Sequence, residues 1–285
     1  MNRIIVILVT VLLQISTLHA QKLPVDLICN PEDKQIAEAK LNQFLNKKDI
    51  PIAELVVEIG LSFLGTPYVV GSLENGLEEK MVVNLRELDC TTFAENCLAL
   101  ARTVKSGRND FASFVAELSK IRYRQGVRNQ YLSRLHYFSE WVADNARKGL
   151  VDDSPNVNGI KSDKPINFMS THPNSYPVLK EHPEIIPELK NQEDKLTQKG
   201  FRYFPKNDLN ALYNNLKNGD LIALTSSIDG IDVNHVGIIM KRDTSFYLLH
   251  APLSGKKVLI SEGPIADFLK PESKNNGIII ARPVF

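Results

Sequence analysis

The residues best equipped for chemistry are a cysteine and two histidines. Cys90 and Cys97 lie in LDCTTFAENCLALAR, residues 88–102, a stretch that reads as one helix. A rise of ~1.5 Å per residue puts their Cα atoms roughly 10 Å apart, beyond the ~7 Å limit for a disulfide. They do not bond to each other, and with three cysteines in the chain Cys29 is left open to pair with either or neither. Phe93, Cys97, Leu100 and Val104 recur at helical spacing, so Cys97 reads as a core thiol on an apolar stripe. Cys90 stands within a turn of the helix start, with Asp89 as N-cap or with Thr92 and Glu95 as a capping box that begins the helix slightly later. The unpaired N–H groups there favour an anion, which predicts a lowered thiol pKa and a nucleophilic sulfur, alkylated well below pH 8.

A nucleophilic thiol needs a base. Beyond residue 20 the histidines are His136, His172, His182, His235 and His250. His172 and His182 each precede proline in loop-like stretches and read as surface residues. No pair has metal-ligand spacing. Short strands follow one another in GDLIALTSS, NHVGIIMK, SFYLLHAP, KKVLISE and NGIIIARPV. A hairpin turning near Arg242-Asp243-Thr244 pairs residues whose numbers sum to 485–487, which sets His235 opposite His250, with Cβ atoms roughly 5 Å apart. Such a pair is either a hydrogen-bonded element of the core or a base with the group that orients it. The thiol at a helix start tips the balance towards catalysis.

The surrounding elements are those of a folded enzyme-sized chain. It has 285 residues, 43% hydrophobic and 24% charged, with a formal net charge of +1, a balance without a footprint for nucleic acid or an anionic membrane surface. Residues 1–20 read as a cleavable signal peptide: one Arg, an apolar run from Ile4 to Leu13, and Ala20 before the cut. That run is short of the ~20 residues a spanning helix needs, so no membrane association is expected after signal removal.

In order, GTPYVVGS, LDCTTF at a helix start, KNGDLI, NHVGII and LLHA resemble the motifs of NlpC-type cell-wall cysteine peptidases, which have a papain-like fold. YLSRLHYFSEWVADN, KPINFMSTHPNSYPVL and HAPLSGKKVLIS are similar to the N-acetylmuramoyl-L-alanine amidase-like subgroup of Gram-negative bacteria. The resemblance implies Cys90 as nucleophile, His235 as general base, His250 as the residue orienting it, and Tyr68 beside the nucleophile. It implies a cofactor-free amidase acting on the N-acetylmuramoyl-L-alanine bond of peptidoglycan fragments, 1,6-anhydromuramoyl turnover products among them, in the periplasm or exported further. Two alternatives stay open: a γ-D-glutamyl-diamino acid endopeptidase on the stem peptide, and a non-catalytic wall-binding module. Asp-Cys-Thr-Thr here departs from the peptidases' Asp-Cys-Ser-Gly, which narrows the wall beside the thiol.

The 144 residues between Cys90 and His235 exceed what a minimal peptidase core needs. Arg134, His136, Tyr137 and Trp141, with Tyr131, Lys164, Phe168, His172 and Tyr176, are expected to wall the cleft and offer aromatic and cationic surface to substrate. An amphipathic helix near 130–147 packing Leu135, Phe138 and Val142 inward is the plainer reading of part of this stretch. The architecture expected is a single α+β domain over 21–285, papain-like, with helices over 31–64 and 90–105 packed on a C-terminal antiparallel sheet and an insertion over 106–218.

Overall fold

A computed structural model describes residues 23–285 apart from 25, 271 and 272. The expected signal peptide lies outside the described residues. Helix α1 (Pro31–Phe44) starts on an Asn30–Asp33 capping box and α2 spans Ile52–Leu61. The single helical stretch expected over 31–64 is broken, because a 3₁₀ turn at Leu45–Lys47 leads into Pro51, which lacks an N–H and holds Ile50 out of the helical region. Helices α3 (Cys90–Lys105), α4 (Phe111–Arg122) and α5 (Phe138–Arg147) follow, then the shorter α6 (Phe168–Thr171) and α7 (Pro177–Glu181), α8 (Ile186–Lys199) and α9 (Leu209–Asn215).

Strands β1 (Leu27–Cys29) and β2 (Met81–Val83) form a small parallel pair. The main sheet contains β3 (Val151–Asp152), β4 (Ile160–Lys161), β5 (Arg202–Pro205), β6 (Leu221–Ser226), β7 (Val233–Arg242), β8 (Ser245–His250), β9 (Leu259–Ile260) and β10 (Asn275–Pro283). Its order is β4-β5-β10-β6-β7-β8-β9, with β3 also on β10, and every pairing is antiparallel. The last strand therefore returns to lie beside β6, where a plain meander would have left it at the edge.

Alternation along the strands loads both faces of the sheet. Val236, Ile238, Met240 and Leu249 point into a core shared with α1 to α5, whereas Ile239, Leu248, Ile278 and Ile280 meet Leu212 of α9 and Ile265 on the other side. Residues assigned to the insertion divide. Phe111, Phe114, Leu118 and Ile121 of α4 belong to the first core, and β3 and β5 pair with β10. Tyr131, Tyr137, Ile166, Met169, Leu179 and Leu189 form a separate cluster of their own. Leu135, Phe138 and Val142 are buried as the amphipathic reading requires, but α5 begins only at Phe138.

The β7–β8 hairpin corrects the register. Arg242 pairs with Ser245 and Ile238 with Leu249, so partner numbers sum to 487, and Asp243 takes φ 52° in the tight turn. His250 thus falls beside Gly237, and His235 lies diagonally across from it, two positions further along. Both rings still share a face, because a shift of two residues preserves side-chain direction. Gly237 is what admits this approach: a Cβ there would sit 2.5 Å from Leu248 Cδ1 and 3.1 Å from His250 Cβ. Gly237→Ala is expected to destabilise the fold by about 1–3 kcal/mol through overpacking, read from the urea midpoint, and to lower activity by displacing His250.

Candidate active site

Asp89 caps α3, accepting from the Thr92 amide at 2.7 Å while Thr92 Oγ1 accepts from the Asp89 amide at 3.0 Å. The helix therefore begins at Cys90, and the later start at Thr92 is not used. Docking of α3 on the sheet brings the thiol to β7, where the amide of Val236, the residue directly after His235, favours the thiolate, and Sγ lies 4.0 Å from Thr91 Oγ1. Tyr68 is held by a bond from its amide to the Lys256 carbonyl at 2.9 Å, and charge on Cys90 and Asp89 reaches its phenol, whose pKa burial pushes up to about 12.

Cys90 keeps part of its surface in solvent, yet burial pushes its thiol up to about 11, helped by the neighbouring Asp89 carboxylate. This reverses the lowered pKa expected from the helix start. The Val236 amide and the helix N–H groups favour the thiolate, but loss of water and a like-signed neighbour outweigh them. Cys97 is fully buried, with its pKa raised further for the same reason. Alkylation of native Cys90 by iodoacetamide is expected to climb about tenfold per pH unit from 7 to 10, as thiolate forms, while Cys97 stays unlabelled until unfolding. A plateau of Cys90 labelling already reached at pH 7 would mean a preformed thiolate.

His235 Nε2 and His250 Nδ1 are 2.6 Å apart, with the rings crossed at 74°. Phe268 meets His250 edge-on at 5.7 Å. Burial lowers the His235 pKa to about 4, and burial plus repulsion from His235 lowers His250 to about 3. At neutral pH both rings are uncharged, so one proton bridges them. The assignment that leaves a base is Nε2–H of His235 donating to Nδ1 of His250, which puts a lone pair on His235 Nδ1. That nitrogen has no hydrogen-bond partner among the described residues.

Two depressions adjoin this line. A half-open pocket of about 360 Å³ is bounded by Asp89 and Thr91, either side of Cys90, and by Asp232 and Val233. A broader one of about 1100 Å³ begins at Asn234, His235 and His250 and extends to Leu253, Phe268 and Lys274. The start of β7 divides them. Among the described residues no group of three or more His, Cys, Asp or Glu is placed to hold a metal ion.

Residues 58–278 match the AmiA-like family, described as N-acetylmuramoyl-L-alanine amidase-like. The chain belongs to that family. The structure of an N-acetylmuramoyl-L-alanine amidase from Bacteroides uniformis is similar at 34% identity and a TM-score of 0.77, covering 82% of this chain and 99% of that one. A Bacteroides fragilis protein provisionally named a xylanase is similar at 36% identity and TM-score 0.72, over 78% and 98% of the two chains. Protein LPG0564 of Legionella pneumophila shares the fold, with 20% identity, TM-score 0.66 and coverage of 89% and 96%. No curated protein matches the chain.

In this amidase-like chain the expected cleft residues separate by burial. Arg134, His136 and Tyr137 do line the smaller pocket, but each is already engaged. Arg134 is buried and clamped between Glu74 at 2.7 Å and Glu79 at 3.2 Å. His136 Nε2 meets the Tyr131 carbonyl at 2.9 Å, and burial with Arg134 nearby holds the ring neutral. The Tyr137 hydroxyl donates to Glu193 at 2.6 Å. Trp141 does not reach substrate: it is fully buried, stacked on Phe138, with Nε1 donating to Glu95 at 3.1 Å. Its place on the inward stripe of α5 decided this over its aromatic character. Lys164 is spent on the carbonyls of Ser226, Ile228 and Ile231, fixing the loop that leads into β7. Phe168 and Tyr176 line the cavity, whereas His172 stacks on Phe168 from the exposed side. Sequence reasoning missed Glu74, Glu95, Arg122 and Asp232, all at the cavity wall. Glu95 and Arg122 form a buried ion pair at 2.8 Å between α3 and α4, a long-range pairing that no local pattern announces.

Proposed function

We propose that the chain hydrolyses the amide between the lactyl group of N-acetylmuramic acid and L-alanine, with Cys90 as nucleophile in a papain-like arrangement. Family membership supports an amidase acting on peptidoglycan-type substrates. The observation that supports the cysteine route is the sequence of residues on β7, where Val236, whose amide favours the Cys90 thiolate, directly follows His235, whose Nε2 is paired with His250.

The free site holds a neutral thiol and a neutral imidazole. As Sγ attacks the carbonyl carbon, its proton passes to His235 Nδ1, and the growing imidazolium is steadied through Nε2–H by His250. The amide of Cys90, a helix-start N–H without an intrahelical acceptor, is positioned to stabilise the oxyanion. His235 returns the proton to the nitrogen of L-alanine, the C–N bond breaks, and a muramoyl thioester remains on Cys90. Water, deprotonated by the same ring, then releases N-acetylmuramic acid and regenerates the thiol. No step requires a cofactor. Fragments carrying 1,6-anhydromuramoyl ends are expected substrates, encountered in the periplasm after removal of residues 1–20.

Weighing the products of digested muropeptides tests the reading. An intact stem peptide with a free L-alanine amine supports it; a split stem indicates the γ-D-glutamyl endopeptidase, and no turnover with any fragment indicates a binding module.

A further inference from the structure

We propose that the recess between α5 and the β4–β5 edge of the sheet binds a small anionic amphiphile, with a phosphate or carboxylate head held by Lys161, Arg202 and Lys199 and an apolar body lodged beneath it. This site is separate from the Cys90 pocket and does not depend on the amidase reading.

The recess has a volume of about 620 Å³, within the range of small-molecule sites. Its floor is apolar. Val142 of α5 and Ile279 of β10 are buried there, Ala143 and Phe201 are half-buried, and Val157, 65% exposed, stands at the rim.

Three cations, Lys161, Lys199 and Arg202, line the same recess against one carboxylate, Asp153. None of the four makes an ion pair among the described residues, whereas Arg122, Arg134 and Arg282 elsewhere each hold a carboxylate. Lys161 and Arg202 are also direct partners across the β4–β5 ladder, and like charges set opposite each other destabilise a strand pair. Gly200, at φ 62°, lets the Lys161 stem lie across the turn from α8 to β5, since a Cβ there would come within 2.9 Å of Lys161 Cε. Arg202 donates to the Gly159 carbonyl at 2.7 Å, which leaves most of its five N–H donors for a ligand. Lys199 stands in the last turn of α8, where the helix carbonyls already favour a cation. The Lys161–Arg202 pair has no such compensation, and an anion bound to both would replace their repulsion with charge-assisted hydrogen bonds.

Cations on an edge strand also discourage pairing between copies of a chain, and β4 is such an edge. That purpose needs no apolar floor beneath the charges. The two features together select an amphiphile: a bare anion leaves the floor wet, and a neutral apolar molecule leaves the cations unmatched.

The test titrates hexyl phosphate, hexyl glucoside and inorganic phosphate into the full chain by isothermal titration calorimetry. Hexyl phosphate is expected to bind at least about tenfold more tightly than either of the others, because its chain adds apolar burial and its head adds charge. Lys161→Gln and Arg202→Gln should each raise its dissociation constant about threefold to fivefold, and Val157→Glu, at an exposed position, should do the same through repulsion of the head. Lys161→Gln should also raise the melting temperature of the ligand-free protein by about 1–2 °C, because it relieves the cross-strand repulsion. Hexyl phosphate affinity equal to that of either control, or unchanged by all three substitutions, overturns the site, and so does a lowered melting temperature in Lys161→Gln, which would make that lysine structural. Sedimentation with phosphatidylglycerol vesicles distinguishes the sources of such a ligand. Retention that is lost in Lys161→Gln places the head group in a bilayer, and hexyl phosphate binding without retention places it on a free molecule.

Discussion

Cys90→Ala is expected to lower kcat by at least about 10⁴-fold while leaving melting temperature near its original value. Covalent catalysis has no substitute nucleophile here, and removal of one member of such a unit costs nearly as much as removal of all. Cys97, buried on the same helix, cannot stand in, because its stripe faces the core and its thiol is sealed from solvent. Loss of the small Cys90 side chain opens little space beside Asp89 and Thr91, so the fold should tolerate it. Steady-state kinetics on N-acetylmuramoyl-L-alanine measures the effect, with Cys97→Ala as the contrasting variant, expected to keep kcat within about threefold and to lower stability by about 1–2 kcal/mol. Comparable activity in native and Cys90→Ala proteins would remove the cysteine from the reaction.

His235→Ala is expected to cost about 10³- to 10⁴-fold in kcat with KM little changed, since proton transfer is made in the transition state and not on binding. The neutral state of the free site sharpens this. A thiol raised to about 11 carries almost no thiolate at pH 7, so attack depends on a base able to take the proton during bond formation. In the His235→Ala variant activity should therefore rise with pH towards 11, as hydroxide does the work of the ring, whereas the native profile should already have risen at mildly acidic pH, because His235 is neutral above about 4. Adding Cys90→Ala to His235→Ala should bring little further loss, the signature of groups acting together.

What could be read from the sequence was whatever local periodicity encodes. Cys90 at a helix start, Cys97 on the core stripe, and two histidines on one face of a late hairpin all follow from spacings of 3.6 and 2, and the structure places them so. The register was off by two positions, because the turn closes on Asp243 and Thr244 alone, a detail that depends on Asp243 adopting a positive φ. The break at Pro51 was visible in principle and was overlooked within a run of good helix formers. The pKa of Cys90 was not legible: local sequence reports the helix start and its field, while desolvation depends on β7 and the loop of Tyr68, both distant in the chain. The cavity wall was half legible for the same reason. Aromatic residues of the 131–176 region announced themselves by type, but burial sorted Trp141 into the core, and the pairings Arg134–Glu74 and Arg122–Glu95 arise only when segments 60 and 27 residues apart meet.

The proposed covalent intermediate is the point on which nucleophile, scissile bond and orientation of substrate all converge. The most direct measurement is acid quenching of the protein during turnover of an N-acetylmuramoyl-L-alanyl peptide, followed by peptide mapping with mass spectrometry. The expected result is an N-acetylmuramoyl group, lighter than N-acetylmuramic acid by one water, attached to the peptide containing Cys90 and absent from the Cys90→Ala protein. An adduct carrying the stem peptide in place of the sugar, or a muramoyl adduct on any other residue, would contradict the mechanism.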